Sequence, residues 1–236
     1  CRAIDGAAGK RGARVAGCTR SRGLAPLAFD TPGGRAKCLK RLLRLDLPVP
    51  KTVALSFATV SRIAAGQLPD IASLLAVFGD RPLVSVRPSS QDPDWGGPGA
   101  MLNIGMNDAR HAELVKSHGE EAANALYLRF VQSYATNVAR LDPEMFEFDN
   151  GLGRDALQAA LETYHAEAED RFPQDPCDQL GKVLRTMART WNSTSARLLR
   201  QAKGAPLEAG LGLVVQQMVL GVGPGESGAG VVQFVD

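Results

Sequence analysis

The stretch "LVSVRPSSQDPDWGGPGA", Leu83 to Ala100, sets one arginine and three glycines in a pattern that could hold an anion. An apolar run stops at Arg87, and a polar loop with Gly96, Gly97 and Gly99 follows it. A guanidinium stays charged and meets a phosphate through two parallel N–H donors. Glycines let backbone N–H groups approach such a ligand closely. The same pattern also describes a wide surface turn whose arginine pairs with a carboxylate, and residue type alone leaves both open. A second glycine-rich stretch, "ESGAG" from Glu226 to Gly230, lies between two strand-like runs. It reads either as a plain hairpin loop or as a flap whose backbone donors cover a triphosphate. Neither stretch is a GxxxxGKS/T loop or a strand-linked GxGxxG, which sets aside P-loop and Rossmann readings.

Other reactive side chains offer less. The cysteines are Cys1, Cys18, Cys38 and Cys177, with no C-x-x-C pair among them, so neither zinc nor dithiol redox chemistry has its ligand spacing. Cys38 and Cys177 fall in helical patterns and read as small buried hydrophobes with free thiols, in a cytoplasmic protein. His111, His118 and His165 sit in polar helical contexts and read as surface histidines; no metal site is expected from them.

The elements that must position Arg87 follow from periodicity. Pro32-Gly33-Gly34 marks a turn. From Ala36, the residues Cys38, Leu39, Leu42, Leu43 and Leu45 keep a helical stripe, which Pro48 and Pro50 end. "TVALSF" reads as a strand. Helical patterns follow over Ser61 to Ala65 and Ile71 to Phe78, and "LVSVR" is a second buried strand ending at Arg87. Residues 108–172 are helical in pattern throughout. A further helix opens with Asp175 as its cap and Pro176 at its first position, burying Leu180, Val183, Leu184, Met187 and Trp191. "LGLVVQQMVLG" reads as a strand and "VVQFV" as its antiparallel partner. The expected organisation is a basic, flexible arm (1–27), an α/β subdomain (28–107), a helical insertion (108–172), returning helices (173–203) and the start of a second subdomain (204–236). With no helix after "VVQFV", that last part reads as an incomplete sheet.

Composition bounds the rest. The 236 residues are 44% hydrophobic and carry a net charge of +2, an ordinary globular balance with enough apolar content for a sizeable core. No apolar run reaches the roughly 20 residues of a membrane helix, so no membrane partner is expected. Residues 1–41 carry many Lys and Arg against only Asp5 and Asp30. Such an arm reads as a solvated tail rather than a nucleic-acid surface.

Taken in order, these segments resemble the N-terminal nucleotide-binding domain of the pyruvate phosphate dikinase family, an ATP-grasp domain. "GGRAKCLKRLLRLDLPVPKTVALS" resembles the family's glycine–lysine motif, leucine-rich helix and "GLPVP" turn. "LVSVRPSS…MLNIGMND" resembles "SVRSGA…LNLGLND". "FPQDPCDQL", "TWNSTSARLLR" and "LVVQQMVLGVGPGESGAG" resemble "FPQDPxxQL", "SWNxxRAxxYR" and "VNVQTMVFGNxGxxSGTG". The resemblance covers roughly residues 28 to 236.

It implies an α+β, ATP-grasp-like fold: a mixed sheet with flanking helices, an inserted helical subdomain and an incomplete C-terminal sheet subdomain. It implies ATP and Mg2+ as cofactors, with the metal ligands after Asp236 and no metal ligand in this chain. The implied activity is a kinase step that passes phosphoryl from MgATP to a histidine on a separate domain, on the way from pyruvate to phosphoenolpyruvate. The implied partners are that phosphohistidine domain and a pyruvate/phosphoenolpyruvate-binding domain, without which this chain is an inactive fragment. Residue by residue, Arg87 matches the phosphate-binding arginine and Arg35 stands at the glycine-loop lysine. Gln216, Gln217 and Met218 match the strand whose backbone lines the adenine pocket. Ser227, Gly228 and Gly230 match the flap over the phosphates. No catalytic residue is assigned.

The chain also departs from the family. Arg35 replaces lysine, Ala36 the next glycine and Gln91 a second arginine. "WGGPGA", Trp95 to Ala100, replaces "MPGMMDT", and "VVQFVD" replaces "VAFTRN". These departures raise an alternative, a catalytically inactive nucleotide-binding or regulatory interaction module of the same fold.

Overall fold

A computed structural model describes residues 33–148 and 153–221. Among these the chain forms an α+β fold with helices α1 Gly34–Arg44, α2 Phe57–Ala64, α3 Ile71–Ala76, α4 Asp108–His118, α5 Glu120–Tyr134, α6 Arg154–Ala168, α7 Pro176–Asn192 and α8 Thr194–Ala202. The strands are β1 Thr52–Leu55, β2 Val84–Ser90, β3 Met101–Ile104 and β4 Leu211–Gln217, in the sheet order β1-β4-β2-β3. No helix of the described residues is long and apolar enough to cross a membrane. The described residues divide into two compact units, the first from residues 33–69, 86–100 and 187–219, the second from 70–85, 101–148, 153–186 and 220–221.

In the first unit, Ser56 ends β1 and caps α2, its hydroxyl oxygen accepting the Thr59 N–H at 3.2 Å. Strands β1 and β4 pair antiparallel, Thr52 opposite Gln216 and Leu55 opposite Leu213. β4 is buried along most of its length, as expected of a run of branched apolar residues covered on both faces. Helix α1 begins at Gly34, two residues before the start its apolar stripe suggests. That stripe is not a core face: Ala36 is the buried residue of α1, while Cys38 is exposed and Leu42 and Leu45 stand 38% and 62% exposed. The expectation of a buried Cys38 is therefore corrected, and Cys177 is only half-buried. Helical period shows that one face is apolar, not what covers it.

One further boundary differs from expectation. β2 does not stop at Arg87 but stays extended through Pro88 to Ser90; the φ that proline imposes suits an extended strand as well as a turn. α7 stops at Asn192, and Ser193 starts α8 by accepting the Ala196 N–H while donating its hydroxyl to the Thr190 carbonyl. Short hydroxylated side chains compete for helix backbone groups and favour caps.

The second unit packs α5 against α4, α6 and β3. Its centre is aromatic, with Phe172 edge-on to Tyr127, Phe130, Tyr134 and Tyr164 at 5.3–5.9 Å between ring centroids. Burial pushes the Tyr127 and Tyr134 phenols well above their ordinary range. α7 opens as its sequence suggests, with the Asp175 carboxylate accepting the Cys177 N–H at 2.9 Å.

Candidate functional site

Arg87 lies half-buried within β2, and Arg35 is exposed in the first turn of α1. Both belong to the first unit, where the start of α1 lies against β2. Arg35 Nε donates to the Pro88 carbonyl at 3.0 Å. The backbone at the start of α1 comes closer still: a Cβ on Gly33 would stand 1.5 Å from the Ser89 carbonyl oxygen and 2.7 Å from that of Ser90. Only a residue without a side chain permits that approach. The Ser89 hydroxyl oxygen accepts the Ala36 N–H at 3.1 Å.

Burial holds the Arg35 guanidinium below its ordinary value, the positive charge of Arg87 lowers it further, and Cys38 opposes the shift. Among the described residues the ion pairs are Arg81–Glu113, Arg110–Glu113, Arg154–Glu120 and Lys182–Asp178. None includes Arg35 or Arg87, so the reading in which Arg87 pairs with a surface carboxylate finds no partner among those residues.

The loop after β2 is held from within. Ser90 Oγ donates to the Asp92 carbonyl at 2.8 Å, and the Asp92 carboxylate accepts the Asp94 N–H at 2.9 Å, leading into a 3-10 turn at Pro93–Trp95. Gly97 backs onto the Trp191 ring, where a Cβ would lie 3.4 Å from the indole and 3.9 Å from the Pro88 side chain. Trp191 is fixed in turn: its Nε1 donates to the Ala209 carbonyl at 3.1 Å, and the buried Arg200 stacks 3.7 Å from its ring centroid.

Of the residues matched to an adenine pocket, Gln216 and Gln217 end β4, next to β2 in the sheet, and Met218 follows them half-buried. The Gln216 side chain donates to Thr52 Oγ1 at 2.9 Å, and the Gln217 N–H to the Lys51 carbonyl at 2.9 Å. The flap residues Ser227, Gly228 and Gly230, and the strand expected at "VVQFV", lie outside the described residues. A cleft of 190 Å³ bounded by Val60, Ser61, Trp191, Asn192 and the 207–211 segment contains none of the expected site residues. It is below the size of an ordinary ligand pocket. Among the described residues no cluster of three or more His, Cys, Asp or Glu side chains could hold a metal.

The "LNIGMND" and "FPQDPCDQL" segments are bound to each other in the second unit. Gln179 donates to the carbonyls of Met106 and Pro173 at 2.8 and 2.7 Å and accepts the Gly105 N–H at 2.8 Å. Gln174 accepts the Asp108 N–H at 2.9 Å, and its carbonyl accepts Asn107 Nδ2 at 2.8 Å. The Tyr127 hydroxyl donates to Asp108 at 2.9 Å. The polar groups named here are engaged in that clasp. Sequence reasoning did not single out Ser89 or Ser90. The signal available was a pair of hydroxyls at the buried end of an apolar strand, each requiring a partner.

No family model matches the chain. Among curated proteins it is 31% identical over 176 residues to the pyruvate, phosphate dikinase of Clostridium symbiosum, covering 65% of this chain and 20% of that protein. It is 27% identical over 238 residues to that of Giardia intestinalis (84% and 26%). With pyruvate, phosphate dikinase 2 of Oryza sativa subsp. japonica, identity is 29% over 264 residues (97% and 30%). The chain thus spans less than a third of the length of these relatives.

Proposed function

We propose that this chain, a relative of the pyruvate, phosphate dikinases, is the ATP-binding part of a phosphotransferase of that kind, built as an ATP-grasp-like fold. One observation carries the proposal: Arg35 Nε is bonded to the carbonyl of Pro88, the residue after Arg87 in β2, and no ion pair among the described residues includes either arginine. Two like charges near each other raise the energy of the ligand-free site, and an anion between them relieves it. Arg35 uses Nε on Pro88, which leaves its terminal N–H donors for a phosphate. The backbone of Gln216 to Met218 would meet the base, and Ser227, Gly228 and Gly230 would cover the phosphates. MgATP supplies the transferable phosphoryl group, with magnesium arriving on the nucleotide. A histidine-bearing domain and a pyruvate-binding domain are the partners of this reading, in a cytoplasmic setting.

A second reading, nucleotide binding without phosphoryl transfer, is favoured by the loop that departs from the family. Gly97 is packed onto Trp191 and Pro88, and Trp95 to Ala100 as a whole lack the acid and the hydroxyl of the family segment.

The test is calorimetric titration of the full chain with MgATP at low and moderate salt. Arg87→Ala should weaken binding by about 10- to 100-fold, the loss of a charge-assisted contact, and added salt should weaken wild-type binding. Unchanged affinity in that variant would sink the assignment. Labelled phosphoryl appearing on the histidine domain of a relative would select transfer over binding alone.

A further inference from the structure

We infer that Ser89 is the positioning residue of the arginine pair: its hydroxyl latches the first turn of α1 to β2 and so sets the placement of Arg35 beside Arg87. The inference rests on reading that pair as the phosphate site. The first N–H groups of a helix have no partner within it, and the N-cap residue ordinarily supplies one from its own side chain. Here the N-cap is Gly33, which makes no side-chain bond, and a Cβ in its place would overlap the Ser89 carbonyl. The cap comes instead from the neighbouring strand, 53 residues along the chain, as Ser89 Oγ accepts the Ala36 N–H. Ser89 is 2% exposed, so water cannot readily replace it.

Gly33, Arg35 and Ser89 therefore each join the start of α1 to β2. Gly33 supplies the close approach, and the Arg35 Nε bond comes from the ligand-binding side chain itself. Of these three, Ser89 is the contact that involves neither the site's charge nor the close backbone approach. Arg35 and Arg87 carry like charge, and the Ser89 bond joins their two elements through neutral groups. Two departures from the family meet in this bond. Ala36 stands where the family has glycine, and Ser89 falls on the glycine of "SVRSGA" when "SVRPSS" is laid against it.

The experiment is a double-mutant cycle on the full chain, with inorganic tripolyphosphate as the titrant and circular dichroism as the check on folding. Ser89→Ala should weaken tripolyphosphate binding by about five-fold, the scale of one hydrogen bond. In an Arg35→Ala background the same change should cost nothing further, because Ser89 acts through Arg35. Ser89→Cys, which keeps the shape but offers a weak acceptor, should weaken binding in the same direction and serves if the alanine variant does not fold. Equal losses with and without Arg35 would make Ser89 a general support of the fold and overturn the inference. So would unchanged binding in the Ser89 variants while Arg87→Ala loses affinity. If Arg87→Ala also binds tripolyphosphate as the wild type does, the phosphate-site reading itself fails, and this inference with it.

Discussion

Gln179 has no exposed surface, and its side-chain amide bonds to three backbone groups on two segments of the second unit. Removing it strands a buried N–H and two carbonyls, each a desolvated group without a partner. Gln179→Ala should therefore lower the unfolding free energy by about 3 kcal/mol or more, read from urea denaturation. A loss within experimental error would mean that water or neighbouring groups replace the clasp. Arg87 was legible in the sequence because a lone arginine at the end of an apolar run stands out. Gln179 and Ser89 were not, because their partners lie 74, 73 and 53 residues away. Local patterns carry no record of which distant backbone group a side chain will meet.

Periodicity located the helices and strands but misjudged several of their ends. The apolar run ends at Arg87, yet β2 continues through Pro88, and that extension puts Ser89 where it can cap α1. The start of α1 depends on Gly33, whose missing side chain is visible in sequence while the strand it touches is not. Gly33→Ala should force the first turn of α1 off β2 and cost about 1–3 kcal/mol, the range for inserting an atom into a packed contact. Hydrogen exchange at the Ala36 amide reads this directly: protection should fall in the variant, and retained protection would mean that the strand yields instead. The α7–α8 break was hidden for a different reason. Thr190 to Ser195 is a run of helix-compatible residues, and only the Ser193 cap geometry divides it.

At the scale of the molecule, the two compact units are interleaved along the chain. The boundary between them falls inside β2 and inside α7, so neither unit can lose its structure without breaking an element of the other. Urea unfolding should accordingly be a single cooperative transition. The chain's own aromatic residues can test this. Trp95 and Trp191, its two tryptophans, belong to the first unit, and Tyr127, Tyr134 and Tyr164, its three tyrosines, to the second. Indole and phenol signals should trace superimposable curves, and separate midpoints would show the units unfolding independently. The same partition serves a second purpose. Trp95 lies in the loop that follows β2, and Trp191 backs it at Gly97. Indole emission is thus an unlabelled optical gauge of whatever settles beside Pro88, with the phenols of the second unit as its built-in reference channel.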